Sequence, residues 1–155
     1  MKVFIASDHA GFTLKSALIE HIRALGYDIE DMGAFSLDQN DDYPDVVMPL
    51  AKRVAASPGT RGIIIGGSGQ GEAICVNRIP GVRAAVFYGE PPHPQADVAG
   101  AVLDMISSVR MHNDANILSL GARFVTLDDA RVATQRFLDT PFSGEERHQR
   151  RLAKF

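Results

Sequence analysis

Glu72 follows the run Gly66-Gly67-Ser68-Gly69-Gln70-Gly71, and no residue in this sequence is better placed to do chemistry. Glycines let backbone N–H groups approach an oxyanion closely, and a helix starting there adds its positive N-terminal end. A carboxylate at that point could take a proton from carbon while the adjacent N–H groups stabilise the resulting enediolate oxygen. The helix end would favour the ionised acid and burial would raise its pKa, a balance the sequence leaves open. Plainer roles fit the same residues: the glycines suit a tight strand-to-helix turn, and Glu72 an ordinary capping glutamate. The run is not a nucleotide P-loop, because no Gly-Lys-Ser/Thr follows, and its glycine spacing misses the dinucleotide fingerprint by one position. A redox cofactor is therefore disfavoured. Cys75, one turn further on, reads as a small core residue rather than a nucleophile.

Other groups fall into two chemical kinds. Asp8 and His9 are a candidate proton-transfer pair, or a structural hydrogen-bonded pair after a strand. Tyr43, ahead of Pro44, could hold a substrate hydroxyl or simply start a helix. His112-Asn113-Asp114 forms a second polar cluster. Arg123, Arg147 and Arg151 suit a phosphate, because guanidinium groups offer planar, paired donors, although an exposed basic terminal helix accounts equally for the last two. Arg147 and Arg151 share one helical face by spacing. No compact metal-ligand motif such as His-Glu-x-x-His occurs, so no metal is expected.

The elements that must carry these residues alternate. Val3 to Ala6 reads as a buried strand. A helical stripe follows through Leu14, Ala17, Leu18, Ile22 and Leu25, and Gly26 stops it. Tyr27 to Asp31 is a second strand, Val46 to Val54 a second helix ended by Pro58-Gly59, and Ile63-Ile64-Ile65 a third strand without alternation. A helix is expected from Glu72, strands at Ala84 to Phe87 and Ile117 to Leu120, helices over 96–111 and 126–138, and a basic tail over 147–151. This order predicts a three-layer α/β/α, Rossmann-like domain with a five-stranded, mostly parallel sheet, covering residues 1–155 as one domain. Ligands in such sheets sit outside the carboxyl ends of the strands, where Asp8, Gly67 and Arg123 fall.

Composition narrows the function further. Hydrophobic residues make up 45% and charged residues 23% of 155, an ordinary globular balance. A net charge of -3 gives no broad basic footprint, so neither nucleic acid nor an anionic membrane is an expected partner. One cysteine allows no internal disulfide, and no apolar run approaches the roughly 20 residues of a membrane span. The expectation is a soluble, cytoplasmic protein.

Ser7-Asp8-His9-Ala10-Gly11, Asp42-Tyr43-Pro44-Asp45, Gly66 through Glu72, Asn77-Arg78, Gly81-Val82-Arg83-Ala84 and His112-Asn113-Asp114-Ala115-Asn116 together resemble the ribose-5-phosphate isomerase type B family, which includes galactose-6-phosphate isomerase subunits. The resemblance spans nearly the whole chain, in the family's order. It implies cofactor-free aldose-ketose isomerisation through an enediolate. It also implies a homodimer with sites shared across the interface, a C-terminal helix packed on the partner, and pairing of dimers into tetramers as an open alternative. Carried over residue by residue, Asp8 and His112 would assist ring opening, and Glu72 would shuttle the proton between C1 and C2. Gly67, Gly69 and Gly71 with Ser68 would hold the enediolate oxygens, and Tyr43 and Asn113 would contact hydroxyls. His9, Arg123, Arg147 and Arg151 would bind phosphate, with His112, Asn113 and some arginines supplied by the partner. One branch of the family uses a cysteine base at the position of Gly66, which places this chain in the glutamate branch. The stretch from Gly89 to Met111 looks longer than the family's usual connection, leaving the sugar open among ribose, tetrulose, allose and galactose phosphates. A non-catalytic sugar-phosphate sensor, or a flavodoxin-like nucleotide module, is the alternative of another class.

Overall fold

The computed structural model describes residues 1–90, 96, 98, 100 and 102–154. Five strands, β1 (Lys2–Ser7), β2 (Asp28–Asp31), β3 (Arg61–Gly66), β4 (Ala84–Phe87) and β5 (Ile117–Gly121), form one sheet in the order β2-β1-β3-β5-β4. Every pairing is parallel. Parallel neighbours need crossovers, supplied by α1 (Phe12–Ala24), α2 (Tyr43–Ala56), α3 (Gln70–Val76) and α4 (Met105–Asn113); α5 (Leu127–Asp139) and α6 (Glu146–Leu152) follow β5.

Two apolar clusters lie on opposite faces of the sheet. Leu18 and Ile22 of α1, Ile106 of α4 and Phe137 of α5 pack on one face with Ile63 and Ile65. Leu50 and Val54 of α2 and Val76 of α3 pack on the other with Ile64. Consecutive isoleucines therefore feed both cores, which explains the missing alternation in β3. Each fully buried Ile contributes about 1.5–3 kcal/mol relative to exposure.

The expected three layers and five parallel strands are present. β2 starts at Asp28, one residue after the predicted Tyr27, and α3 starts at Gln70, two before Glu72. Helix α1 ends as Gly26 suggests: Gly26 N–H donates to Arg23 and Tyr27 N–H to Ile22, at 2.9 and 3.3 Å.

One expectation is corrected. The helix predicted over 96–111 begins only at Met105. Asp104 caps it, its side chain accepting from Ser107 N–H at 2.8 Å, while Ala96 and Val102 instead form an antiparallel bridge. Gly100, at φ 83°, interrupts the apolar pattern that suggested helix. The proline-bearing segment 91–95 lies outside the described residues. Among the described residues, no helix is long and apolar enough to cross a membrane.

Candidate active site

The sheet reverses direction of winding between β1 and β3, and ligands of such sheets bind at that switch point. There Asp8, His9, Ala10, Tyr43, Gly67, Ser68, Gly71, Glu72 and Arg123 line a cavity of about 230 Å³. Three strand ends supply its floor.

Asp8 directly follows β1 and its Oδ1 accepts from the N–H groups of Ala10 and Gly11, at 3.0 and 3.2 Å. This caps a single 3₁₀ turn, His9–Gly11, which turns the chain sharply into α1. The next residue, His9, is hydrogen-bonded to Asp41 through its ring Nδ1 at 2.6 Å. Tyr43 opens α2, with Pro44 in the first turn where a missing N–H costs nothing.

The loop after β3 is tied to the loop after β5. Gly66 and Gly67 carbonyls accept from Ala122 and Arg123 N–H at 2.8 and 3.2 Å. The carbonyl of Gly69 accepts from Ser119 Oγ at 2.6 Å. Gly69 itself is left-handed, at φ 73°, where other residues are strained, and it caps α3. Ser68 Oγ accepts from Gln70 N–H at 3.3 Å. Arg123 packs flat enough against Gly67 that an added β-carbon there would lie 3.2 Å from its Cζ.

Glu72 is 4% exposed in the first turn of α3. Burial is the main cause that raises its pKa above 4.5; the Asp8 charge adds to this, and hydrogen bonding with the backbone of Glu72 and Gly69 opposes it. The balance left open by the sequence thus falls to desolvation, which makes the carboxylate a stronger base than a solvated one. Cys75 is raised as well, first by burial, and lies outside the cavity, as expected of a packing residue.

Asp8, His9 and Asp41 bring three possible ligand atoms within 4.8 Å, the one such grouping among the described residues. Asp8 Oδ1 is committed to two backbone N–H groups and His9 Nδ1 to Asp41. These hydrogen bonds account for how each of the three side chains is held.

Of the residues singled out from sequence, Asp8, His9, Tyr43, Gly67, Gly71, Ser68, Glu72 and Arg123 meet at one cavity, with Gly69 shaping its loop. Four do not join them within the chain. His112 stacks on His148 with ring centroids 4.4 Å apart, and its Nδ1 lies 3.4 Å from Ser108 Oγ. Asn113 lines a separate cavity with Asn77, Arg83 and Val109. Arg147 pairs with Glu145 at 2.8 Å, and Arg151 is exposed on α6. Sequence reasoning missed Asp41 and Ala10. Asp41 sits in an acidic run, 32 residues from the histidine it holds, and spacing alone carries no sign of that contact.

Comparison with known proteins agrees with this geometry. The Ribose/Galactose Isomerase family matches residues 3–155. The chain is 39% identical over 152 residues to ribose-5-phosphate isomerase B of Mycobacterium tuberculosis, covering 98% of this chain and 86% of that protein. Its fold matches ribose-5-phosphate isomerase B of Mycoplasma genitalium with bound ribulose 5-phosphate, with a TM-score of 0.86, 36% identity, and 99% and 92% of the two chains covered. It also matches the Trypanosoma brucei type B enzyme, with a TM-score of 0.82 and 35% identity over 99% and 95% of the chains. A match running from Val3 to the last residue, with the cavity at the strand ends where the motifs fall, places this chain in the Ribose/Galactose Isomerase family.

Proposed function

We propose that the protein interconverts a phosphorylated aldose and its ketose, of the ribose 5-phosphate to ribulose 5-phosphate type, with Glu72 as base. The observation that carries this is a buried carboxylate of raised pKa beside a glycine-rich loop whose Gly66, Gly67 and Gly69 carbonyls are bonded to β5 and the residues after it. The relatives named ribose-5-phosphate isomerase B, and the neighbour holding ribulose 5-phosphate, support the choice of sugar.

Asp8 Oδ2, the oxygen not used in capping, assists opening of the furanose ring. Glu72 then removes the proton from C2, the electron pair moves into the C1–C2 bond, and the aldehyde oxygen becomes the enediolate oxygen. Backbone N–H groups of the loop and Ser68 Oγ stabilise that charge. After a proton passes between O2 and O1, Glu72 returns its own to C1 and leaves the ketone at C2. Tyr43 holds a hydroxyl, and Arg123 with His9 holds the phosphate. Base and donors all come from the polypeptide, so the reaction requires no cofactor and no metal.

In this reading a second copy of the chain completes the site with His112, Asn113, Arg147 and Arg151. Their position outside the cavity of their own chain supports a homodimer. So does Ile74, a large apolar side chain 69% exposed on α3, the helix that carries Glu72. A single cysteine and a net charge of -3 fit a cytoplasmic enzyme of small anionic substrates.

The test is proton NMR in heavy water with ribose, allose, galactose and tetrose phosphates. Deuterium entering next to the carbonyl as the isomer forms is expected with ribose 5-phosphate. Binding without exchange for every sugar would establish a sensor instead. Mixing Glu72→Gln with Arg147→Ala subunits should restore part of the activity, and no recovery would overturn the shared site.

A further inference from the structure

His9 makes two contacts with one carboxylate oxygen. Its backbone N–H donates to Asp41 Oδ1 at 3.1 Å, and its ring Nδ1 lies 2.6 Å from the same atom. The contact joins the turn after β1 to the loop before α2, so it is not a by-product of local chain geometry. With Oδ1 as acceptor, Nδ1 carries a proton. A neutral imidazole protonated there offers only a lone pair at Nε2, which repels a phosphate oxygen; the imidazolium alone donates from both nitrogens. A hydrogen bond to a carboxylate favours that cation.

We propose that Asp41 is a positioning residue for phosphate recognition, gripping the backbone and ring Nδ1 of His9 so that its Nε2–H is presented, as part of an imidazolium, to the substrate's phosphate beside Arg123. The proposal rests on the phosphosugar reading above. Asp41 Oδ2 is buried without a hydrogen-bond partner, and among the described residues His9 is the cation that answers the carboxylate. The pKa of His9 is raised from 6.5, chiefly by the Asp41 hydrogen bond; desolvation opposes, the Asp8 and Asp41 charges add, and Arg123 opposes. Tyr43 of α2 and Glu72 of α3 are the remaining titratable groups lining the cavity.

The experiment compares wild type, Asp41→Asn, His9→Gln and the double variant. Nitrogen-15 NMR follows the His9 titration without substrate, inorganic phosphate serves as a binding probe, and KM and kcat for ribose 5-phosphate are measured at acid and alkaline pH. In Asp41→Asn the His9 titration is expected to move to lower pH, because the hydrogen bond that raises it is weakened. KM and the phosphate dissociation constant should rise about tenfold on the alkaline side of the wild-type titration, and about threefold or less on the acid side, with kcat within about threefold. Asp41→Asn should add nothing to His9→Gln, because the carboxylate acts through that ring. An unmoved His9 titration, a pH-independent rise in KM, or a loss confined to kcat would overturn the role. A wild type that isomerises no phosphosugar would end the reading of function, while the titration and phosphate binding would still decide the role of Asp41.

Discussion

A β-carbon on Gly66 would sit 1.6 Å from Glu72 Oε1 and 2.2 Å from its carboxyl carbon. The Glu72 carboxyl occupies the space that any side chain at position 66 would fill. A cysteine base at that position and a glutamate base on the helix are therefore alternative occupants of one volume, and a single site cannot hold both in this arrangement.

Gly66→Ala and Gly66→Cys should each drive the Glu72 carboxyl out of place. We expect kcat to fall by about 100-fold or more and stability by about 1–3 kcal/mol, the usual result of overpacking. Steady-state kinetics and thermal melts check both. Wild-type kcat in Gly66→Ala would show that the carboxyl works from another rotamer.

Glu72→Gln should lower kcat by about 10²–10⁴-fold with little change in KM, whereas Cys75→Ala should retain activity. Glu72 has a folded-state pKa above its unfolded value, so its contribution to stability is present below the unfolded pKa and is lost as pH rises through the folded one. At neutral pH the ionised side chain is a destabilising element. The Tm of Glu72→Gln should accordingly match or exceed wild type at pH 8, with the advantage shrinking toward pH 4. The same shift moves the acid limb of kcat/KM above the ordinary 4.5.

Gly71→Ala should displace Tyr43, since its β-carbon would meet the phenol oxygen at 2.9 Å and Cζ at 3.0 Å. KM should rise about tenfold, and Tyr43→Phe, which keeps the ring but loses the hydroxyl, should reproduce most of that rise. A Tyr43→Phe protein with wild-type KM would remove the hydroxyl from substrate binding.

The pairing of His112 with His148 links α4 to α6 and predicts acid sensitivity. The pKa of His148 is lowered, first by burial and then by the His112 charge. A lowered imidazole stabilises the fold above its unfolded pKa of 6.5 and loses that contribution as pH falls through the folded value. Tm should therefore drop between pH 7.5 and 5, and His148→Phe should flatten the drop. Equal pH slopes in the two proteins would refute the coupling.

Much of this was legible because period and position carry it. Ile63-Ile64-Ile65 announced a strand covered on both faces, and Gly66 to Glu72 announced a glycine-rich loop leading into a helix. What stayed hidden depends on contacts between distant segments. Asp41 is one carboxylate in a run of polar residues, and only the folded loop brings it to His9. The start of α4 was misplaced because apolar residues near Val98 and Val102 mimic a helical face, while Asp104 supplies the real cap. His112, Asn113, Arg147 and Arg151 were grouped with the site by resemblance, and one chain alone does not gather them there.

The carbonyls of Gly66, Gly67 and Gly69 are all spoken for by Ala122, Arg123 and Ser119. On the proposed reading, the loop would meet an oxyanion with the hydrogen-bearing side of its amides. Amides do not titrate, so this attraction for an oxyanion is a constant background from mild acid to mild alkali. If His9 grips the phosphate as proposed, the acidity profile of turnover reports on side chains and on the substrate's own phosphate, and its alkaline limb should track the His9 ring rather than the loop.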